Sequence, residues 1–163
     1  MLTRIIVAVV LAPLFFVVLF FLDSIWLAAL MAAICAMASF ELLRATKVAH
    51  HNGMYFFTAL AAAAIPVGCW LGLGYLVVPM AAVFLMLTLF GIAIRLYDEE
   101  RAVRVEDVFM CMFGGLVIPM CLSALVQLKC MDHGQYLVLL PVICAFLTDA
   151  GAYFAGVFLG KHR

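Results

Sequence analysis

The sequence predicts an all-α protein, a polytopic bundle of about six transmembrane helices with both termini in the cytoplasm. The first observation is composition: 70% of the 163 residues are hydrophobic and 11% are charged, against about half and about a quarter in an ordinary soluble domain. The second is that the apolar residues form long runs, near the roughly 17–25 residues that cross a bilayer. The third is the placement of lysine and arginine between these runs.

Six apolar runs are separated by short polar connections, and we interpret residues 1–163 as a single membrane-embedded domain. The first two runs are near the short limit for a span, so a hairpin that crosses fully and a partly re-entrant pair are both open. A signal peptide is the weaker interpretation of the first run, because no small-residue cleavage site precedes Asp23. The runs are residues 5–22, 25–40, 55–73, 75–94, 108–128 and 136–159.

Basic residues fall almost entirely on one side of this predicted bundle. When the connections are assigned alternately to the two sides, Lys129 is the single basic residue on its side. The other side is the cytoplasm by the positive-inside rule, and it holds both termini. Its basic residues are Arg4, Arg44, Lys47, Arg95, Arg101, Arg104, Lys161 and Arg163.

Composition and motifs argue against several classes of function. The net charge is zero, so there is no basic footprint for nucleic acid. The sequence has no Walker loop and no GxSxG nucleophile motif. Its six cysteines show neither a CxxC pair nor His/Cys metal spacing, so we expect no disulfide framework. Cys130 is near a loop, and we expect the other five, which lie within apolar runs, to be small buried hydrophobes.

One carboxylate, Asp149, stands in the middle of the sixth run. An acid at membrane depth costs several kcal/mol unless a partner satisfies it, so it predicts a functional site. If the run is helical, a single stripe carries Asp149, Tyr153, Gly156 and Gly160. This stripe ends at the cations of residues 161–163. Asp149 would lie roughly 15 Å from the cytoplasmic end of the helix. At that depth we expect a cavity that is open to water and contains the carboxylate.

Other interpretations of this run stay open. Gly156-x-x-x-Gly160 is by itself more typical of a helix-packing seam than of a ligand site, and Lys161 and Arg163 also suit interfacial anchors. Packing does not need an acid, so Asp149 is the stronger functional candidate. An alternative hypothesis is a small membrane transporter or channel subunit that uses Asp149 as an intramembrane ion or proton site.

The segment 149–162 reads Asp-x-x-Ala-Tyr-Phe-x-Gly-x-x-x-Gly-Lys-His. It resembles the aspartate segment of the phosphatidate cytidylyltransferases, also called CDP-diacylglycerol synthases. The opening residues 3–6 (Thr-Arg-Ile-Ile) and residues 40–43 (Phe-Glu-Leu-Leu) also resemble that family. Ala150 and Val157 depart from it, since Thr or Ser and Arg are usual there. The resemblance covers the N-terminal two-thirds of the family, whose C-terminal signature is missing, so we expect a truncated member.

The resemblance implies a nucleotidyltransferase of phospholipid biosynthesis, which makes CDP-diacylglycerol and pyrophosphate from CTP and phosphatidate. It implies Mg²⁺ as cofactor, with Asp149 as the catalytic and metal-binding residue. The substrate-binding residues would be Tyr153, Gly156, Gly160, Lys161 and Arg163. Further expectations are a bacterial inner membrane location, membrane lipids as partners, no nucleic acid, and a homodimer by analogy. One carboxylate binds Mg²⁺ weakly, so we expect this chain alone to be inactive or nearly so.

Overall fold

The computed structural model describes residues 13, 15–47, 51–97 and 103–159. These residues form helices joined by short turns, and no strand occurs in these ranges, so the predicted all-α fold is confirmed. The elements in chain order are α1 (residues 15–21), α2 (Ser24–Thr46), α3 (Asn52–Trp70), α4 (Gly74–Arg95), α5 (Val105–Met112), a π-helical turn (Phe113–Val117), α6 (Ile118–Lys129) and α7 (Gly134–Leu159).

Long apolar helices make this chain a multi-pass membrane protein. Within the described residues, five candidate spans correspond to the second to sixth predicted runs. Half of the first predicted run, 5–22, lies outside the described residues; its described part, residues 13 and 15–22, includes α1. The five spans are Ser24–Thr46, Asn52–Trp70, Gly74–Arg95, Val105–Lys129 and Gly134–Val157.

Helix α2 is longer than the run that predicted it. The apolar run ends at Phe40 because Glu41 is charged, but the helix continues to Thr46. Glu41 and Arg44 are exposed, and charged side chains near the end of a span can reach the membrane surface at little cost. The helix ends where Lys47 adopts a left-handed conformation with φ of 55°, a common geometry for closing a helix.

Helix α3 is the central element of the bundle. It packs against α2, α4, α6 and the π-helical turn, and Ala61, Ala62 and Gly68 are among its buried residues. Small residues let helix backbones approach closely inside a membrane. At Gly68 the approach is tightest, because an added Cβ would lie 2.5–2.8 Å from three side-chain atoms of Val77 on α4. The interface between α3 and α4 therefore has no room for a methyl group at this position.

A π-helical turn, Phe113–Val117, interrupts the fifth predicted run. In a regular α-helix the ring of Pro119 would clash with the carbonyl of Gly115, four residues earlier. The wider π-turn relieves that clash. It also places the Gly114 carbonyl against α2, where the hydroxyl of Ser39 donates a hydrogen bond to it at 2.6 Å. The turn thus links α2 to the fifth span.

The two ends of the bundle differ in charge. One end, which we call the Lys129 end, contains Lys129, whose amino group donates a hydrogen bond to the Leu19 carbonyl. At the same end the Trp70 indole donates a hydrogen bond to Ser24 Oγ at 3.2 Å. The opposite end, the arginine end, holds Arg44, Arg95 and Arg104. Within the described residues Lys129 is therefore separated from these arginines, as the alternating assignment of connections predicted.

Helix α7 leaves the bundle along its second half. In its first half Val138 is fully buried and packs in one cluster with Leu19 and Val126. The ring of Tyr136 also meets Phe20 of α1 edge-on, with centroids 6.2 Å apart. From residue 143 to residue 157 every side chain of α7 is exposed. Within the described chain, this second half is left open to a partner.

Candidate functional site

Asp149 lies in the exposed second half of α7. At ~1.5 Å per residue it is roughly 22 Å from Gly134 and 15 Å from Leu159 along the helix. These lengths place it inside a hydrocarbon layer about 30 Å thick. Its carboxylate is exposed and takes part in no hydrogen bond or ion pair within the described residues. Because an acid at this depth is stable only with a polar partner, another polar group must interact with the Asp149 carboxylate.

Tyr153 and Gly156 lie on the same face of α7 as Asp149, one and two turns further along. Tyr153 is 68% exposed, and its ring meets Phe154 edge-on at 5.7 Å. An added Cβ at Gly156 would meet no atom within 4 Å. The three residues therefore form one smooth, open strip. The other predicted site residues, Gly160, Lys161 and Arg163, lie outside the described residues.

The described residues supply part of a metal site at most. They bring together no group of three or more His, Cys, Asp or Glu side chains that could hold a metal ion, and they do not enclose Asp149 in the expected cavity. Mg²⁺ often binds through one or two carboxylates, with waters and substrate phosphates as its other ligands. Asp149 fits the role of one such oxygen ligand, and a complete site needs more.

A second polar position lies inside the bundle and was missed in the sequence. Ser39 and Thr58 are both fully buried, and the Thr58 hydroxyl lies beside the buried Cys111 thiol of α5. Thr58 packs on the π-turn, since an added Cβ at Gly115 would lie 3.1 Å from Thr58 Cγ2 and 2.6 Å from Leu85 Cδ1. Single hydroxyls in apolar runs leave no periodic signal. Without any charged group, this cluster serves packing between α2, α3 and the π-turn.

Comparison with known proteins identifies the family. The sequence profile of the cytidylyltransferase family matches residues 2–163, almost the whole chain. The chain belongs to the cytidylyltransferase family. Neither the curated proteins nor the solved structures that were compared give a significant match. Family membership confirms the resemblance carried by the segment 149–162. This cytidylyltransferase-family chain is a membrane nucleotidyltransferase, with a cytidine nucleotide as its implied substrate.

Proposed function

We propose that this protein is a phosphatidate cytidylyltransferase of a bacterial inner membrane, which makes CDP-diacylglycerol and pyrophosphate. The observation that carries the proposal is the position of Asp149, a carboxylate near mid-membrane that has no partner among the described residues, in a chain of this family. CTP is soluble in water, but most of the described chain lies in membrane-spanning helices. An acceptor that reaches such helices from within the bilayer is a lipid, and phosphatidate supplies the phosphate that can accept a cytidylyl group.

The chemistry explains why the site needs an acid. A phosphate oxygen of phosphatidate attacks the α-phosphorus of CTP and forms a new P–O bond. The bond from the α-phosphorus to the oxygen that bridges to the β-phosphorus breaks, and pyrophosphate leaves with the electron pair. Negative charge builds on the phosphate oxygens during this exchange. Mg²⁺, when bound, neutralises that charge and orients the two substrates.

The predicted site residues have distinct proposed roles. Asp149 would hold Mg²⁺ directly or through a bound water, and Tyr153, one turn away, would donate a hydrogen bond to a substrate phosphate. Gly156 and Gly160 would let a substrate or another helix approach the backbone. Lys161 and Arg163 would bind phosphates at the membrane surface.

The open face of α7 requires a covering partner for this chemistry. Asp149 is a single carboxylate, so the remaining oxygen ligands must come from substrate phosphates, water and another polypeptide segment. Such a segment would pack on residues 143–157. We therefore expect a single copy of this chain without that segment to be inactive or nearly so.

The test measures CDP-diacylglycerol formed from radiolabelled CTP, phosphatidate and Mg²⁺ in membranes. The protein is expressed from its native reading frame, whatever its length, and separately as the 163 residues alone. We expect Asp149→Asn to lower the rate of the active form about 100-fold or more, because charge stabilisation of phosphoryl transfer is lost. Asp132→Asn is the matched control, since Asp132 is an exposed acid in the turn before α7, and it should keep normal activity.

Three outcomes would contradict the proposal. Transfer of the label to a lipid other than phosphatidate would contradict the acceptor. Equal activity of the Asp149→Asn and Asp132→Asn variants would remove Asp149 from the site. Absence of any lipid product, together with an ion flux in proteoliposomes that Asp149→Asn abolishes, would favour the transporter hypothesis.

A further inference from the structure

An open groove lies between α2 and α3 at the arginine end of the bundle. Its volume is about 530 Å³, within the usual range of small-ligand sites, roughly 300–1,000 Å³. No residue of α7 lines it, so it is separate from the face that carries Asp149. Its lining residues are Phe40, Arg44, Asn52, Tyr55, Phe56 and Ala59.

The deeper part of the groove is apolar. Phe40 and Phe56 are 44% and 63% exposed, so both rings present free surface. The ring of Phe40 packs on Tyr55 with centroids 5.2 Å apart, which fixes one wall. Ala59, one turn further along α3 from Phe56, contributes only a methyl group to the inner end of the groove. These surfaces suit a hydrocarbon chain.

The outer part of the groove is polar and cationic. Arg44 lies one helical turn beyond Phe40, in the last turn of α2, and Asn52 is the first residue of α3. The Arg44 side chain is exposed and forms no ion pair within the described part of the chain. A guanidinium at the membrane surface is well suited to a phosphate group through paired N–H donors.

Depth and polarity therefore change together along the groove. Its charged end faces the membrane surface, and its aromatic end faces the hydrocarbon. An anionic phospholipid has the same order, with a phosphate at the surface and acyl chains below. We propose that the groove between α2 and α3 binds a phosphate-bearing anionic lipid from the leaflet at the arginine end. Arg44 holds the phosphate, and the rings of Phe40 and Phe56 hold the upper part of an acyl chain.

Native mass spectrometry of the purified full chain tests this site without any catalytic assay. The protein is titrated with phosphatidylglycerol and, separately, with phosphatidylcholine of the same acyl chains. We expect tighter retention of phosphatidylglycerol, and we expect Arg44→Gln to weaken it about tenfold because one charge-assisted contact is lost. Arg95→Gln is the matched control: Arg95 ends α4 at the same end and is also exposed, but it does not line the groove, so its effect should stay below about twofold.

A second variant tests the apolar part. Ala59→Leu fills the inner end of the groove and should weaken both lipids, while gel filtration checks that the protein stays folded. Equal losses in the Arg44→Gln and Arg95→Gln variants would overturn the proposal, because they would indicate a diffuse charge effect. Competition by inorganic phosphate at the same concentration as the lipid would also overturn it, since a free anion would then be the ligand. Unchanged binding in both Arg44→Gln and folded Ala59→Leu protein would place the lipid elsewhere.

Discussion

Replacing Gly68 by alanine should separate α3 from α4. A Cβ at this position would lie 2.5, 2.6 and 2.8 Å from Val77 Cγ2, Cβ and Cγ1. Carbon atoms in ordinary contact are about 3.5–4.0 Å apart, so the helices would have to move apart by roughly 1 Å. Val77 cannot turn away, because a valine in a helix has essentially one χ1 rotamer and its Cβ is fixed by the backbone.

The expected cost follows from two opposing terms. Overpacking of a well-packed interface costs about 1–3 kcal/mol. Alanine recovers up to about 1 kcal/mol through its higher helix propensity. Gly91→Ala in α4 gains the same propensity without any clash, because an added Cβ there meets nothing within 4 Å. We therefore expect Gly68→Ala to be less stable than Gly91→Ala by about 1–3 kcal/mol, a factor of roughly 5–150 in the folding equilibrium.

Unfolding by SDS in mixed micelles, followed by circular dichroism, measures this difference. A Gly68→Ala protein as stable as Gly91→Ala would refute the close contact between α3 and α4. A compensating change sharpens the test: Gly68→Ala combined with Val77→Gly removes all three crowded atoms and should recover part of the lost stability, less the cost of a glycine inside α4. Val77→Ala should help less, because the Val77 Cβ itself is one of the crowded atoms.

Three further predictions concern other helices. Ser39→Ala should lower the unfolding free energy in mixed micelles by about 0.6–2 kcal/mol, because it removes the hydrogen bond to the π-turn. Thr88→Ala loses only a hydrogen bond within its own helix and should lower the unfolding free energy less. Equal losses in the two variants would contradict the prediction. Asp107→Ala should fray the start of α5, because the Asp107 carboxylate accepts a hydrogen bond from the Arg104 backbone N–H at 2.9 Å. Faster amide exchange at the start of α5 would show the fraying, and unchanged exchange would contradict the prediction. A membrane-impermeant maleimide outside intact cells should label exposed Cys130 but not Cys144 within α7; labelling only after lysis would reverse the orientation.

Much of the fold could be predicted because a membrane restricts the choice of structure. Backbone groups in lipid must be paired within the chain, so long apolar runs become helices. Helix ends were harder to predict. The predicted second span stopped at Phe40, since hydropathy treats Glu41 as a boundary, whereas the backbone continues in helix until Lys47 adopts its left-handed conformation. The end of a helix depends on local geometry as well as on polarity.

The candidate site was predictable only in part. Asp149 stands out in the sequence because one acid among apolar residues has no packing role. The groove between α2 and α3 gave no such signal, because Phe40, Arg44 and Asn52 look like an ordinary span end and connection. They become a site only when the hairpin brings the end of α2 beside the start of α3. That juxtaposition depends on tertiary contacts, which spacing along one helix does not contain.

The π-turn determines how residues in the fifth span should be aligned. Its buried residues include Cys111, Pro119, Ser123 and Val126. At about 100° per residue in an uninterrupted α-helix, the last three would point about 60–120° away from Cys111. When one residue is discounted for the π-turn, each of the last three falls within about 40° of Cys111, on one side or the other. The turn therefore behaves as a one-residue insertion. A relative that lacks one residue in 113–117 would keep the buried residues before and after the turn on one face of a continuous α-helix.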